Sequence, residues 1–190
     1  VSAEKLLVAT GVRPNSDLLQ VDKTCVKVNK RGFIKVNKFM ETSVQGIWAL
    51  GDIAGVYMFK HSANLEAEYV FKNIFSKRVK VNYYPMPHAV FCSPQIAGVG
   101  LTEQQCIEQG KKYLVGKHEY KATGMGIALA EKDGFVKIIA DKKTKEILGC
   151  HIIGPEASIL LHEVLVAMKA NRKKALDIIA ETVHIHPALN

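Results

Sequence analysis

The sequence predicts an α+β chain, in which an antiparallel sheet with helices makes up the second part and the closing elements of an α/β region precede it. Two observations predict it. Apolar, strand-like runs at residues 113–115, 134–140 and 147–153 are separated by short polar segments, and the last two are joined by the turn-rich Asp141-Lys142-Lys143-Thr144-Lys145-Glu146, an arrangement that favours antiparallel pairing. The stretch Val81-Asn82-Tyr83-Tyr84-Pro85-Met86-Pro87 carries two prolines close together, which forbids helix and marks a boundary between residues 1–80 and 81–190.

From the N-terminus, residues 6–9 form a continuous apolar run of the kind buried on both faces of a sheet. Residues 25–28 and 33–36 flank the turn formers Asn29-Lys30-Arg31-Gly32 as in a hairpin, and residues 46–50 supply a further short buried strand that ends at Gly51-Asp52. Ala63, Ala67, Val70, Phe71 and Ile74 recur at helical spacing, predicting a helix over 61–75. Beyond the boundary come strand-like residues 88–92 and 96–99. They lead to Thr102-Glu103-Gln104-Gln105, a capping box in which the Thr102 hydroxyl and the Gln105 side chain satisfy free donors at a helix start. Pro155 stands where a helix can begin, and Ile159, Leu160, Glu163, Val164, Ala167 and Met168 continue it with one broad apolar face. A shorter helix over 174–181 leads into Val183-His184-Ile185-His186-Pro187.

Composition narrows the function classes. A chain of 190 residues with 48% hydrophobic and 23% charged content is ordinary globular material, long enough for one core or two small ones. The net charge of +8 comes from scattered lysines. The basic clusters Lys77-Arg78-Val79-Lys80 and Arg172-Lys173-Lys174 are short and lack interleaved aromatics, which speaks against a specific nucleic-acid partner. No run approaches the roughly 20 apolar residues that span a bilayer, so no membrane partner is expected, and no signal peptide is visible. Cys25, Cys92, Cys106 and Cys150 are far apart, and the expectation is a reducing cytoplasmic setting with each thiol packed as a small apolar group. The chain opens in what reads as a strand interior, so a piece cut at both ends is expected.

Asp52 follows a short apolar strand and falls where open α/β sheets hold their ligands, a place from which a carboxylate can accept two sugar-like hydroxyls; a plain turn is the alternative. Gly11, after another apolar run, lets a cofactor approach the backbone or simply ends a strand. His184 and His186 make a His-x-His pair, but two ligands are half a zinc site and no Cys or carboxylate cluster lies nearby in sequence, so no metal is expected. His186 is the better general acid/base, since Pro187 restricts its backbone to extended conformations, although a structural histidine at a turn fits the residues as well. His151 and His162 fall in core-like elements and read as hydrogen-bonded structural groups.

Four segments, in order and spacing, resemble one family: residues 6–15 (Leu-Leu-Val-Ala-Thr-Gly-Val-Arg-Pro-Asn), 42–52 (Thr-Ser-Val-Gln-Gly-Ile-Trp-Ala-Leu-Gly-Asp), 90–103 (Val-Phe-Cys-Ser-Pro-Gln-Ile-Ala-Gly-Val-Gly-Leu-Thr-Glu) and His184-Ile185-His186-Pro187. Over essentially its whole length the chain resembles the flavoprotein pyridine nucleotide-disulfide oxidoreductases, and within them the dihydrolipoamide dehydrogenase group. The resemblance implies a C-terminal interface, or dimerisation, domain preceded by the end of the FAD- and NAD-binding domains. It makes Gly11 the glycine lying against NAD and Asp52 the carboxylate that binds the ribityl hydroxyls of FAD. Met58, Phe59, Lys60 and His61 match the helix start whose amides approach the flavin ring, where a helix N-terminus suits the charge that builds on reduction.

His186 matches the acid/base that reaches the redox disulfide of the other subunit in a homodimer, during oxidation of the dihydrolipoyl group of a lipoyl domain in a 2-oxoacid dehydrogenase or related complex. Ala188 and Asn190 depart from the commoner Thr and Ser, and mycothione reductases also carry His-Pro-Ala, so a mycothione or glutathione reductase-like enzyme is the alternative, with a non-catalytic dimerisation module as a second. Mercuric reductases are disfavoured, because they lack this His-Pro ending. The glutamate that orients the histidine in the family would fall at position 191. The family's redox disulfide and Gly-rich FAD motif are expected upstream of Val1, and the 190-residue piece by itself is expected to be inactive and to hold no FAD.

Overall fold

The structure is a computed structural model that describes residues 1–190. The chain divides into two compact units, Val1–Tyr83 and Tyr84–Asn190.

In the first unit the regular element is helix α1, Lys60–Phe75. The apolar period finds this helix but not its buried face, which is Ser62, Glu66 and Val70, four residues apart; Phe71 and Ile74 face solvent. Three short 3-10 turns precede it, at Asn15–Asp17, Val21–Thr24 and Gly51–Ala54. The run at 6–9, expected as a strand buried on both faces, forms no strand, and Leu6 and Leu7 are each 88% exposed. A strand exists by pairing, and nothing in the chain pairs with this run. The expected hairpin survives as its turn: the Asn29 side chain accepts from the amides of Arg31 (2.8 Å) and Phe33 (3.1 Å), and one bridge joins Val28 to Ile34. The predicted strand at 46–50 is likewise reduced to one bridge, between Glu41 and Trp48. Val26, Ile34 and Ala49 form the small buried cluster of this unit.

The second unit is a five-stranded antiparallel sheet with helices, as expected. Its strands are β1 (Pro87–Val90), β2 (Ile96–Gly100), β3 (Tyr113–Glu119), β4 (Phe135–Asp141) and β5 (Ile147–Ile153), in the spatial order β1-β2-β5-β4-β3. The β4–β5 turn closes because the Asp141 carboxylate accepts from the amides of Lys143 (2.9 Å) and Thr144 (2.7 Å), and these bonds lower its pKa. Helix α2, Glu103–Glu108, has the predicted capping box: the Gln105 amide donates to the Thr102 hydroxyl (3.2 Å) and the Thr102 amide to the Gln105 side chain (2.9 Å). A one-and-a-half-turn helix α3, Gly124–Ala128, was not foreseen; its cap is Thr123, whose hydroxyl accepts from the Gly126 amide at 3.0 Å.

Helices α4 (Ala157–Ala170) and α5 (Ala175–Glu181) complete the unit. Helix α4 buries Leu161, Val164, Ala167 and Met168 in a cluster with Ala97, Val99, Cys150 and Ile152 of the sheet. Ile159, assigned by spacing to the apolar face, is exposed instead, because it stands two residues, about 200° of helix rotation, from Leu161, which belongs to the buried stripe. Tyr120 is buried against Gly134 and Gly154, donates to the Pro155 carbonyl (3.0 Å), and has its pKa pushed up by burial to about 12. Gly154 permits this contact, since a β-carbon there would stand 2.7 Å from the tyrosine ring.

The cysteines split into two classes. Cys106 and Cys150 are buried, and burial pushes the Cys150 thiol up to about 12. Cys25 and Cys92 are exposed, which corrects the expectation that all four are packed; both stand outside the helices and strands whose packing buries the other two.

Candidate functional site

The C-terminal segment after α5 carries the candidate acid/base. His186 is exposed, and its ring lies over the first residue of α3, with the β-carbon position of Gly124 3.0 Å from Cε1 and 3.6 Å from Nε2. Glycine at that position leaves the space the imidazole occupies. The His186–Pro187 peptide is cis.

His184 turns elsewhere. Its Nε2 is paired with Oε1 of Glu163 on α4, while the Asn190 side-chain amide donates to Oε2 of the same carboxylate at 3.3 Å. Glu163 therefore holds the chain on both sides of His186, through residues 184 and 190. The two histidines of the His-x-His pair thus have different neighbours, one a carboxylate and the other a glycine backbone. The signal for Glu163 was present in the sequence: an acidic residue within the apolar face of a helix needs a partner to be tolerated there.

The remaining histidines behave as structural groups in part. His162 Nδ1 donates to the Ser158 carbonyl (2.9 Å), but it does so at the surface rather than in the core. His151 Nε2 donates to the Leu101 carbonyl (3.0 Å). The structure also brings His88 next to His151, and burial followed by the nearness of His151 holds the His88 pKa below the usual histidine value.

In the first unit, Gly11 has a positive φ of 90° and no atom within 4 Å of its β-carbon position. Asp52 lies in the 3-10 turn Gly51–Ala54 with its side chain exposed; the turn is closed by the Gly55 amide donating to the Asp52 backbone carbonyl (3.0 Å) rather than to its carboxylate. Met58 adopts φ 57° just before α1. At the start of α1 the Phe59 amide donates to the Ser62 hydroxyl (3.1 Å), Lys60 Nζ reaches Asn64 (2.5 Å), and His61 stacks on Phe59 with ring centroids 5.0 Å apart.

Glu66 was not foreseen at all. Buried in α1, it accepts from the Gly51 amide (2.6 Å) and from the Tyr83 hydroxyl (2.8 Å), and thereby fixes the residue before Asp52 to the helix that follows. Burial, then the bond to Glu66, raises the Tyr83 pKa well above the usual phenol value.

Residues 86–190 match the dimerisation domain of the pyridine nucleotide-disulphide oxidoreductases, and residues 1–67 match the pyridine nucleotide-disulphide oxidoreductase family. The chain belongs to this family. Its relatives among pyridine nucleotide-disulphide oxidoreductases include dihydrolipoyl dehydrogenase 3 of Haloarcula marismortui, 37% identical over the whole chain and 39% of the relative, and the dihydrolipoyl dehydrogenase of Cupriavidus necator, 36% identical over the whole chain and 40% of the relative. The chain thus spans about two-fifths of the length of these relatives. Among solved structures, the HOCl-induced flavoprotein disulfide reductase RclA from Escherichia coli superposes with a TM-score of 0.84 at 25% identity, over 95% of this chain and 41% of that one. LpdA from Mycobacterium tuberculosis shares the fold, with a TM-score of 0.84 at 21% identity over 93% of this chain and 38% of that one.

Proposed function

We propose that this chain serves a flavin-dependent disulfide oxidoreductase that oxidises protein-bound dihydrolipoamide, and that His186 is its acid/base. The observation that carries the reading is the exposed His186 imidazole, seated over Gly124 in a segment tied to α4 at both ends, within a chain whose relatives are named dihydrolipoyl dehydrogenases. Residues 1–80 are then the end of the nucleotide-binding region and 81–190 the interface domain of a homodimer, in which His186 serves the redox disulfide of the partner subunit. The substrate dithiol is presented by a lipoyl domain.

A dithiol becomes a disulfide by losing two electrons and two protons. The attacking species is the thiolate, so a proton must leave the thiol before the exchange step. His186, exposed on the single chain and so open to a partner subunit, takes that proton on a ring nitrogen and gives it up to water before the next turnover. The redox disulfide is not assigned to any of the four cysteines here, all of which are free thiols remote in sequence.

FAD and NAD, when bound, supply the acceptors for the electron pair. The residues present fit them: the exposed Asp52 carboxylate would accept ribityl hydroxyls, the N-terminus of α1 with Met58, Phe59, Lys60 and His61 would approach the flavin, and the open backbone at Gly11 would leave room for NAD.

His186→Gln in the full-length flavoenzyme is expected to lower turnover with dihydrolipoamide by 10²–10⁴-fold, the usual contribution of a positioned acid/base. Turnover near the wild-type rate would remove His186 from the mechanism. A panel of glutathione, mycothione and lipoamide substrates separates the family's branches. The 190-residue chain alone is expected to be colourless and inactive, and a yellow preparation that reduces NAD with dihydrolipoamide would contradict this.

A further inference from the structure

The sheet places two histidines against one glycine. His88 of edge strand β1 pairs with Gly98 of β2, and Gly98 pairs with His151 of β5, so the three residues form a row across three strands and share a face. This is the face opposite α4, because the residues on either side of Gly98 and His151, namely Ala97, Val99, Cys150 and Ile152, are those in the α4 cluster.

Both rings lean over the position where Gly98 lacks a side chain. A β-carbon there would stand 2.7 Å from Nδ1 of His151 and 2.9 Å from both Cε1 and Nε2 of His88. Any residue but glycine would fill the space between the rings, and both nitrogens border that space.

The orientation of His151 is set from behind. A carbonyl oxygen only accepts, so the contact from His151 Nε2 to the Leu101 carbonyl (3.0 Å) puts the proton on Nε2 and, in the neutral ring, leaves Nδ1 as the nitrogen with a lone pair. A backbone carbonyl behind one ring nitrogen, with the other nitrogen presented, is the support that metal-binding histidines commonly have. The next residue in the row, Lys137, does not bring an unbalanced positive charge, since its ammonium is paired with Glu103 at 2.8 Å.

We propose that His88 and His151, with Gly98 as the floor between them, form a binding site for a first-row divalent cation with nitrogen preference. Imidazole suits Ni²⁺ and Cu²⁺, whereas two ligands are only half a zinc site. Two protein ligands leave the other coordination positions to water, so the ion is exchangeable and open to an added ligand. A bound ion also links edge strand β1 to central strand β5 across β2.

The test is titration of the 190-residue chain with Ni²⁺ alone, by calorimetry and by ¹H–¹⁵N spectra of the histidine rings. One ion is expected to bind, broadening His88 and His151 first, and His88→Ala is expected to weaken that event at least tenfold. Gly98→Ala, which keeps both histidines, is expected to weaken it similarly. His88 is exposed on an edge strand, so its removal leaves a folded protein in which the comparison stands even if Gly98→Ala does not fold. Unchanged Ni²⁺ affinity in His88→Ala, or broadening centred on His184 and His186 instead, overturns the proposal.

Discussion

Glu66 is the single buried charged side chain of the molecule, and its two oxygens are both used, one by the Gly51 amide and one by the Tyr83 hydroxyl. Removing it leaves the Gly51 amide without its acceptor and the Tyr83 hydroxyl with only the weak thioether acceptor of Met40 (3.5 Å), losses of about 1–3 kcal/mol each. Glu66→Ala is therefore expected to destabilise the first unit by on the order of 3 kcal/mol, measured by urea unfolding, and Glu66→Gln by less, because the Tyr83 hydroxyl can reverse its role and accept from the amide. Equal losses in the two variants would show that volume, not hydrogen bonding, sets the cost. The same residue-scale logic separates His184 from His186: the first spends its Nε2 on Glu163, whereas the second keeps an exposed ring over Gly124.

At the scale of elements, α4 organises the second unit. Leu161 is 1% exposed and lies at the centre of its buried stripe, so Leu161→Ala is expected to cost about 2–5 kcal/mol. Calorimetry of the 190-residue chain is expected to show two transitions, since three residues form the buried cluster of the first unit and twelve that of the second. Leu161→Ala should lower only the upper one; a single transition, or an equal shift of both, would contradict the assignment of separate cores.

The elements also show where sequence was informative. The sheet strands of the second unit were legible where they carry apolar runs and their partners lie within the same chain; β3 continues beyond the expected 113–115 through the polar Lys117, His118 and Glu119, which pair with β4 all the same. The capping box at Thr102 and the turn at Asp141 were legible because their chemistry is local. Residues 6–9 misled, since an apolar run states a tendency to pair and not the presence of a partner. Helix α3 was missed because Gly124-Met125-Gly126 opposes helix formation, and the helix stands on its Thr123 cap and on contacts that composition does not display. In the candidate site, the His-Pro step announced His186, whereas Glu163 and Glu66 act through residues far away in sequence. The pairing of His88 with His151 depends on register across three strands, a non-local property that no motif spells out.

At the scale of the whole molecule, the family places this chain among the pyridine nucleotide-disulphide oxidoreductases, and its second unit has the sheet and helices of their dimerisation domain. The strand order β1-β2-β5-β4-β3 has a further consequence, which concerns time rather than stability. The β4–β5 and β1–β2 pairs are joined by short connections, but the seam between β2 and β5 pairs Gly98 with His151, more than fifty residues apart. Closing so long a loop costs entropy before any contact repays it, so the hairpins form early and the central seam closes last. Substitutions in the β4–β5 pair, such as Ile139→Val, should slow refolding, while Val99→Ala in β2 should chiefly speed unfolding; the reverse pattern in stopped-flow kinetics would refute this order. The middle of the finished sheet is thus the last part of it to be made.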